Sequence, residues 1–202
     1  MTAIWNNYAD GSKNLEHYAD VITALGAATA SSSAEIAGGL EKFAAVSKTV
    51  GLSYNYATTA LATIVATTRQ SEDTVGTGLR TIFSRLESLK MGSTLEDGVG
   101  LTKYSAALKT AGVEILDSLG HVKDMDKILD ELGAKWQTIS REQQIALAQT
   151  VGGVRQYTNL MALMNNWDKF QKNLKVAEGA DGTLQTQAER YASGWEAARK
   201  RV

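Results

Sequence analysis

The side chains that could do chemistry in this chain are two histidines and a group of aspartates. His17 stands among charged and aromatic residues of a predicted helix, and His121 follows a glycine in a predicted turn. Neither histidine has a second ligand at the spacing that a zinc site requires. We therefore interpret both as surface or turn residues rather than metal ligands.

The aspartates lie close together in the sequence. The group consists of Asp117, Asp124, Asp126 and Asp130. A calcium loop needs oxygen ligands at fixed offsets, a central glycine and a terminal glutamate, and these residues do not follow that order. Turn-forming, helix-capping and solvated roles explain the group better than metal binding does.

A short glycine motif could suggest a nucleotide site. Gly76 and Gly78 flank one residue, but Thr81 stands where a third glycine is needed, and no strong strand precedes the motif. The two glycines are instead predicted to let another helix approach closely. The sequence contains no phosphate loop, nucleophile elbow or HExxH motif. We assign no catalytic, cofactor-binding or metal-binding residue and predict that the chain is not an enzyme.

The elements that hold these residues are predicted to be helices. The 202 residues include no proline, so nothing forces a helix to end and glycine must do so. The absence of cysteine excludes disulfides and thiolate zinc sites. A net charge of −1 excludes a strong general field for nucleic acid or anionic membrane. No apolar run reaches the ~20 residues of a membrane span.

Apolar side chains recur at helical spacing in several segments. The clearest series is Val75, Leu79, Ile82, Phe83, Leu86 and Leu89. Capping boxes are predicted at Ser32 with Glu35 and at Ser140 with Gln143. The first box opens a helix that we expect to continue to Gly51, while Gly152 and Gly153 are expected to end the second.

The pattern changes after Gly112. Val113 and Ile115 alternate with Glu114, and residues 117–120 have turn chemistry before Val122 resumes the extended side. This predicts a small β-hairpin or a pair of extended turns near Val113–Val122, too small to fold without the helices. The fold class is therefore all-α: a compact multi-helix domain with one small extended insertion.

The last segment has a different period. Its apolar residues are Leu184, Ala188, Tyr191, Trp195, Ala198 and Val202, at the four-and-three spacing of a heptad. Two interpretations stay open: the start of a longer amphipathic helix in a longer polypeptide, or a C-terminal helix that docks on the core. We divide the chain into an N-terminal edge (1–14), a helical core domain (15–182) and the start of the amphipathic helix (183–202).

Three segments are distinctive when they are taken together: TRQSEDTVGTGLRTIFSRL (68–86), DMDKILDELGAKW (124–136) and AQTVGGVRQY (148–157). They resemble the core region of phage tail tape measure proteins, particularly those of siphophages and prophages of Gram-positive hosts. The similarity covers roughly nine tenths of the chain in the order of that family, and residues 1–14 match least. Some members carry peptidoglycan hydrolase domains, but nothing in this chain matches such a domain.

The resemblance implies a structural protein around which tail-tube subunits polymerise, so that its length sets the length of the tail. It also implies exit from the tube to help DNA cross the host envelope. The expected partners are tail-tube and tail-tip or baseplate proteins, with self-association in the tail. We expect no specific nucleic acid partner and no cofactor, and membrane contact only in the full-length protein. The expected locations are the tail lumen of the virion and, during assembly, the host cytoplasm.

Two alternatives belong to other classes of function. One is a cell-wall hydrolase domain of a phage tail protein, which needs a paired acid and base in a cleft, with the pKa of one carboxyl raised by burial. The other is a membrane-active helical domain that opens at the host envelope. The lack of a long apolar run disfavours the second.

Overall fold

The computed structural model describes residues 2–8 and 15–199, and within them the chain is helical with no strand. This confirms the all-α prediction. The helices are α1 (Thr2–Tyr8), α2 (Leu15–Ala28), α3 (Ser33–Glu41), α4 (Ala44–Thr49), α5 (Tyr54–Thr68), α6 (Glu72–Lys90), α7 (Leu101–Thr110), α8 (Met125–Lys135), α9 (Arg141–Gly152), α10 (Tyr157–Asn165), α11 (Trp167–Glu178) and α12 (Thr183–Arg199), with a 3-10 turn at Trp136–Thr138.

The predicted N-terminal edge and the predicted heptad series are each described only in part. Positions 1 and 9–14 of the edge and Val202 of the series lie outside the described residues. The side chains of Trp5 and Ala198 also lie outside the described part of the chain.

Helix α5 occupies the centre of the molecule. It packs against α2, α3, α6, α10 and α11, and its side chains are buried on most of its circumference. Small residues make this possible: Ala57 and Ala60 are fully buried, and the buried hydroxyl of Thr58 donates to the carbonyl oxygen of Tyr54 at 2.7 Å. The Ala- and Thr-rich sequence is therefore that of a core helix whose narrow sides admit close neighbours.

Helix ends form largely as predicted. The Ser32–Glu35 and Ser140–Gln143 capping boxes are both complete, with side chain and backbone bonded in each direction. Gly153, at φ 74°, follows the last residue of α9, so the glycine pair ends that helix as expected. Asp124 takes the N-cap position of α8, but its side chain makes no capping hydrogen bond.

The predicted role of Gly76 and Gly78 is confirmed. A Cβ atom on Gly76 would overlap the backbone of Gly39, so α6 and α3 meet backbone to backbone at this pair. A Cβ atom on Gly78 would overlap the side chains of Gln156 and Asn159. Missing Cβ atoms therefore set the distance of α6 from α3 on one side and from the start of α10 on the other.

The single helix predicted from Ser32 to Gly51 is wrong. It is two helices, α3 and α4, because the backbone N–H groups of Lys42 and Phe43 bond three residues back, to Gly39 and Leu40, at 3.2 Å. Phe43 then lies at φ −132°, which directs its ring into the core against Phe83, with ring centroids 5.7 Å apart. Burial of this aromatic ring outweighs one more turn of helix.

Of the two forms predicted near Val113–Val122, the structure does not support the β-hairpin and contains a short extended turn. The segment contains one isolated antiparallel bridge, between Leu116 and Val122. On the turn side of this bridge, the carboxylate of Asp117 accepts the backbone N–H groups of Leu119 and His121, both at 2.9 Å. The side chain thus closes the turn. Val113 and Ile115 are fully buried and anchor the segment to the helices.

Candidate functional site

The structure separates the two histidines. His121 is exposed in the turn after α7, as predicted. The prediction of a surface or turn position for His17 is wrong, because only 8% of this residue is exposed and its Nδ1 lies 2.7 Å from Oδ1 of Asp181. The partner comes from the far end of the sequence, so local pattern gave no indication of it.

The four aspartates divide into two groups. Asp117 forms a turn, and Asp124 occupies the N-cap position of α8; both roles are among those predicted. Asp126 and Asp130 are not simply solvated: they lie on one face of α8 and line a cleft of about 540 Å³. Helices α1, α2, α5 and α11 complete this cleft, which we call the tyrosine cleft after the four tyrosines in its wall.

Three of those tyrosines form a buried cluster. The rings of Tyr18 and Tyr54 meet edge to face with centroids 4.5 Å apart, and Tyr8 meets Tyr54 in the same way at 5.5 Å. The hydroxyl of Tyr18 donates to the carbonyl oxygen of Tyr8 at 2.9 Å, and that of Tyr54 to the carbonyl oxygen of Tyr18 at 2.7 Å. Burial raises the pKa of Tyr8 and of Tyr54 far above the ordinary range, so both are neutral hydroxyl groups.

Asp126 is the most perturbed acid of the cleft. Burial of its carboxyl raises the pKa to about 6, although the backbone N–H of Ser53 donates to its oxygens at 3.2 and 3.3 Å and opposes that rise. Asp130 and Asp124 add negative charge nearby. The carboxyl of Asp126 is therefore a weaker acid than an exposed aspartate while it holds the N-cap residue of α5.

Asp130 bonds to two other helices. The hydroxyl of Tyr56 donates to its carboxylate at 3.1 Å, and the side-chain amide of Gln171 donates at 3.5 Å. Loss of solvent around the carboxyl raises the pKa of Asp130. The two aspartates thus join α8 to α5 and α11, while no three His, Cys, Asp or Glu side chains gather for a metal ion in the described part of the chain.

Arg85 connects two of the segments that carry the family resemblance. Its Nε donates to the carbonyl oxygen of Val151 at 3.2 Å, and its Nη2 to that of Thr150 at 3.0 Å and to the carboxylate of Asp97 at 2.8 Å. The first two acceptors are carbonyls in the last turn of α9. One guanidinium therefore joins α6, the end of α9 and the loop before α7.

Helix α12 carries the largest exposed apolar side chains of the described C-terminal region. Tyr191 and Trp195 are 72% and 73% exposed, and Leu184 is 43% exposed. They follow the heptad spacing, whereas Trp136 is fully buried and Trp167 stacks on Phe170. We call the set Leu184, Tyr191 and Trp195 the α12 stripe.

Among the residues that the structure describes, no helix combines the length and apolar character that a bilayer crossing requires.

These features describe an all-α structural domain with an outward-facing helix. A family model described as "Phage-related minor tail protein" matches residues 1–153. Because the match covers more than half of the chain, the chain belongs to this family and is a structural protein of a phage tail, associated with the virion. No solved structure matches it.

Proposed function

We propose that this chain is the core region of a tail tape measure protein, of the kind found in siphophages and prophages of Gram-positive hosts. It acts as a scaffold on which the tail tube polymerises, and it leaves the tube to assist DNA delivery. The observation that carries the proposal is the exposed α12 stripe at heptad spacing. Such a helix suits lengthwise packing against other helices.

The proposed contacts are between proteins. The tail tube and the tail-tip or baseplate proteins are the partners, and the α12 stripe is the surface for self-association in the tail. The protein resides in the tail lumen of the virion after assembly in the host cytoplasm. In this proposal the chain acts without a cofactor or specific nucleic acid and is not an enzyme, and the contacts of Asp126 and Asp130 serve to join helices.

Tail length tests the proposal directly. In the phage that encodes the chain, an insertion of four helical heptads after Arg199 adds about 42 Å of helix at 1.5 Å per residue. Tails measured by electron microscopy should lengthen by that amount. Tails of normal length on infectious particles would contradict a length-setting role.

The second candidate is a cell-wall hydrolase, and the tyrosine cleft is the observation that favours it. Asp126 has the raised pKa that a general acid requires, and Asp130 is a second carboxylate in the same cleft. Incubation of the chain with peptidoglycan, beside the Asp126→Asn variant, separates the candidates. Lysis that disappears in the variant would favour the hydrolase, and absence of lysis in both would favour the scaffold.

A further inference from the structure

The start of α12 is capped by a residue from a different helix. Asp20 of α2 is 2% exposed, and its two carboxylate oxygens accept the backbone N–H groups of Gly182 at 2.8 Å and Leu184 at 2.7 Å. At the start of α12 itself, Gly182 has no side chain, the hydroxyl of Thr183 donates backward to Ala180, and the carboxylate of Asp181 bonds to His17. The first turn of α12 therefore depends on α2 for its cap.

The contact is reciprocal, because Asp20 also depends on α12. A buried carboxylate is strongly disfavoured unless hydrogen bonds or opposite charge stabilise it. Asp20 has no ion pair with any cationic side chain in the described ranges. The two N–H groups and the positive end of the α12 dipole provide its stabilisation instead.

A second contact holds the same connection. His17 lies one turn before Asp20 on α2, and its ring bonds to Asp181, two residues before α12 begins. The segment between α11 and α12 is thus attached to α2 at two neighbouring points.

Beyond these two points α12 lies beside α2, but few of its described side chains are buried there. Its side chains from Ala188 to Trp195 are all exposed, and only Thr183 and Gln187 are half-buried before them. A cleft of about 440 Å³ lies between α12 and α2, lined in part by Thr23 and Tyr191. Along the described side chains of α12 up to Trp195, no continuous apolar interface determines its direction.

We propose that Asp20 is a latch that sets the direction in which α12 leaves the domain. With the latch closed, the α12 stripe is presented at a defined angle to the helical body. With it open, α12 swings about residues 179–182 while the body stays folded. This inference concerns the fold alone and can hold even where the tape measure proposal fails.

The absence of cysteine makes a distance measurement straightforward, because introduced cysteines are the only labelling sites. Spin labels on Lys127→Cys of α8 and Ser193→Cys of α12 occupy exposed positions. Pulsed electron spin resonance should give a narrow distance distribution in the 202-residue chain. Adding Asp20→Ala should broaden it at least about twofold, because local opening of an element frees its motion without global unfolding.

Two further variants complete the test. Asp20→Asn keeps one acceptor oxygen but turns an amide donor toward the second N–H group, so it should broaden the distribution to a smaller extent, and it serves if Asp20→Ala does not fold. Asp168→Ala removes an exposed aspartate from the first turn of α11 and should leave the distribution unchanged. A folded Asp20→Ala chain with the original narrow distribution would overturn the latch, and so would equal broadening by Asp168→Ala.

Discussion

At the scale of single residues, the polar side chains of this protein act mainly between helices. Asp126, Asp130 and Arg85 each bond to an element distant in the sequence from their own. A charged group in such a position stabilises the fold only when its partners compensate for lost water. The protonation of Asp126 and the donor geometry of Arg85 therefore matter to stability, and both can be tested.

Asp126 should make the stability of the chain depend on pH. The pKa of its carboxyl is about 6 in the folded chain, above the value of about 4 in an unfolded chain. The folded state therefore binds the proton more tightly. The free-energy cost of burying the charged carboxylate is absent below about pH 4, and it develops as the pH rises through about 6. Asp126→Asn, which keeps an acceptor for Ser53, should raise the free energy of unfolding near pH 7.5 but not near pH 4.

Urea unfolding at the two pH values measures this difference. The matched control is Asp168→Asn, since Asp168 is an exposed aspartate in the first turn of its own helix. It should lower stability by about 0.5 kcal/mol near neutral pH, where the carboxylate interacts with the helix dipole. An Asp126→Asn variant that is less stable than the native chain near pH 7.5 would show that the carboxylate is needed in its charged form.

Arg85 should not be replaceable by lysine. A lysine ammonium cannot reproduce the planar fork that serves Val151, Thr150 and Asp97 together. Arg85→Lys should lower the free energy of unfolding by about 1–3 kcal/mol. Arg80→Lys is the control, because Arg80 is exposed on the same helix and should change stability by less than about 0.5 kcal/mol. If Arg85→Lys and Arg80→Lys change the free energy of unfolding equally in chemical unfolding, one hydrogen bond from position 85 is enough to stabilise the fold.

At the scale of elements, backbone contact between helices is the main determinant of the packing around α6. Gly76 and Gly39 let α6 and α3 touch without side chains between them. Gly76→Ala must therefore push the helices apart or bend one, which should cost about 2–3 kcal/mol of stability. Gly38→Ala, one residue from Gly39, adds a Cβ whose nearest neighbour is the Cγ of Glu72 at 3.7 Å.

The control should behave in the opposite way. Alanine favours a helix over glycine by up to about 1 kcal/mol, so Gly38→Ala should be neutral or stabilising in thermal unfolding. A similar loss of stability in Gly76→Ala and Gly38→Ala would show that α3 tolerates no added side chain on the side that faces α6.

Local pattern predicted α6 and the starts of α3 and α9, but not how the helices meet. The series from Val75 to Leu89 is one helix, as its period indicates, and both capping boxes form. The helix break at Phe43 was missed because its cause is the distant ring of Phe83. The tyrosine cleft was not predicted because helices distant in the sequence form it, although the four-residue spacing of Asp126 and Asp130 is that of one helix face.

At the scale of the whole molecule, a compact domain conflicts with a lengthwise measuring role. Drawn out as one helix, 202 residues span roughly 300 Å, whereas a globule of this length has a radius of gyration of about 16 Å. Either the domain rearranges inside the tube or it sits at one end of the measured length. Two features favour a position at one end: α5 is buried at the centre, and Asp20 of α2 caps the start of α12. Extension of the chain would expose α5 and separate Asp20 from α12.

The position of an insertion along the chain distinguishes these two arrangements. Four heptads placed between Gly92 and Ser93, in the loop before α7, add contour length inside the compact body, where Gly92 has open space around it. If the body stays folded at one end, this insertion should leave tail length unchanged, while the same insertion after Arg199 adds about 42 Å. Hydrogen exchange on assembled tails should then show α5 as protected as in the isolated chain. Equal lengthening from both insertions, together with altered protection of α5, would mean that the domain opens inside the tube and is measured along its whole contour.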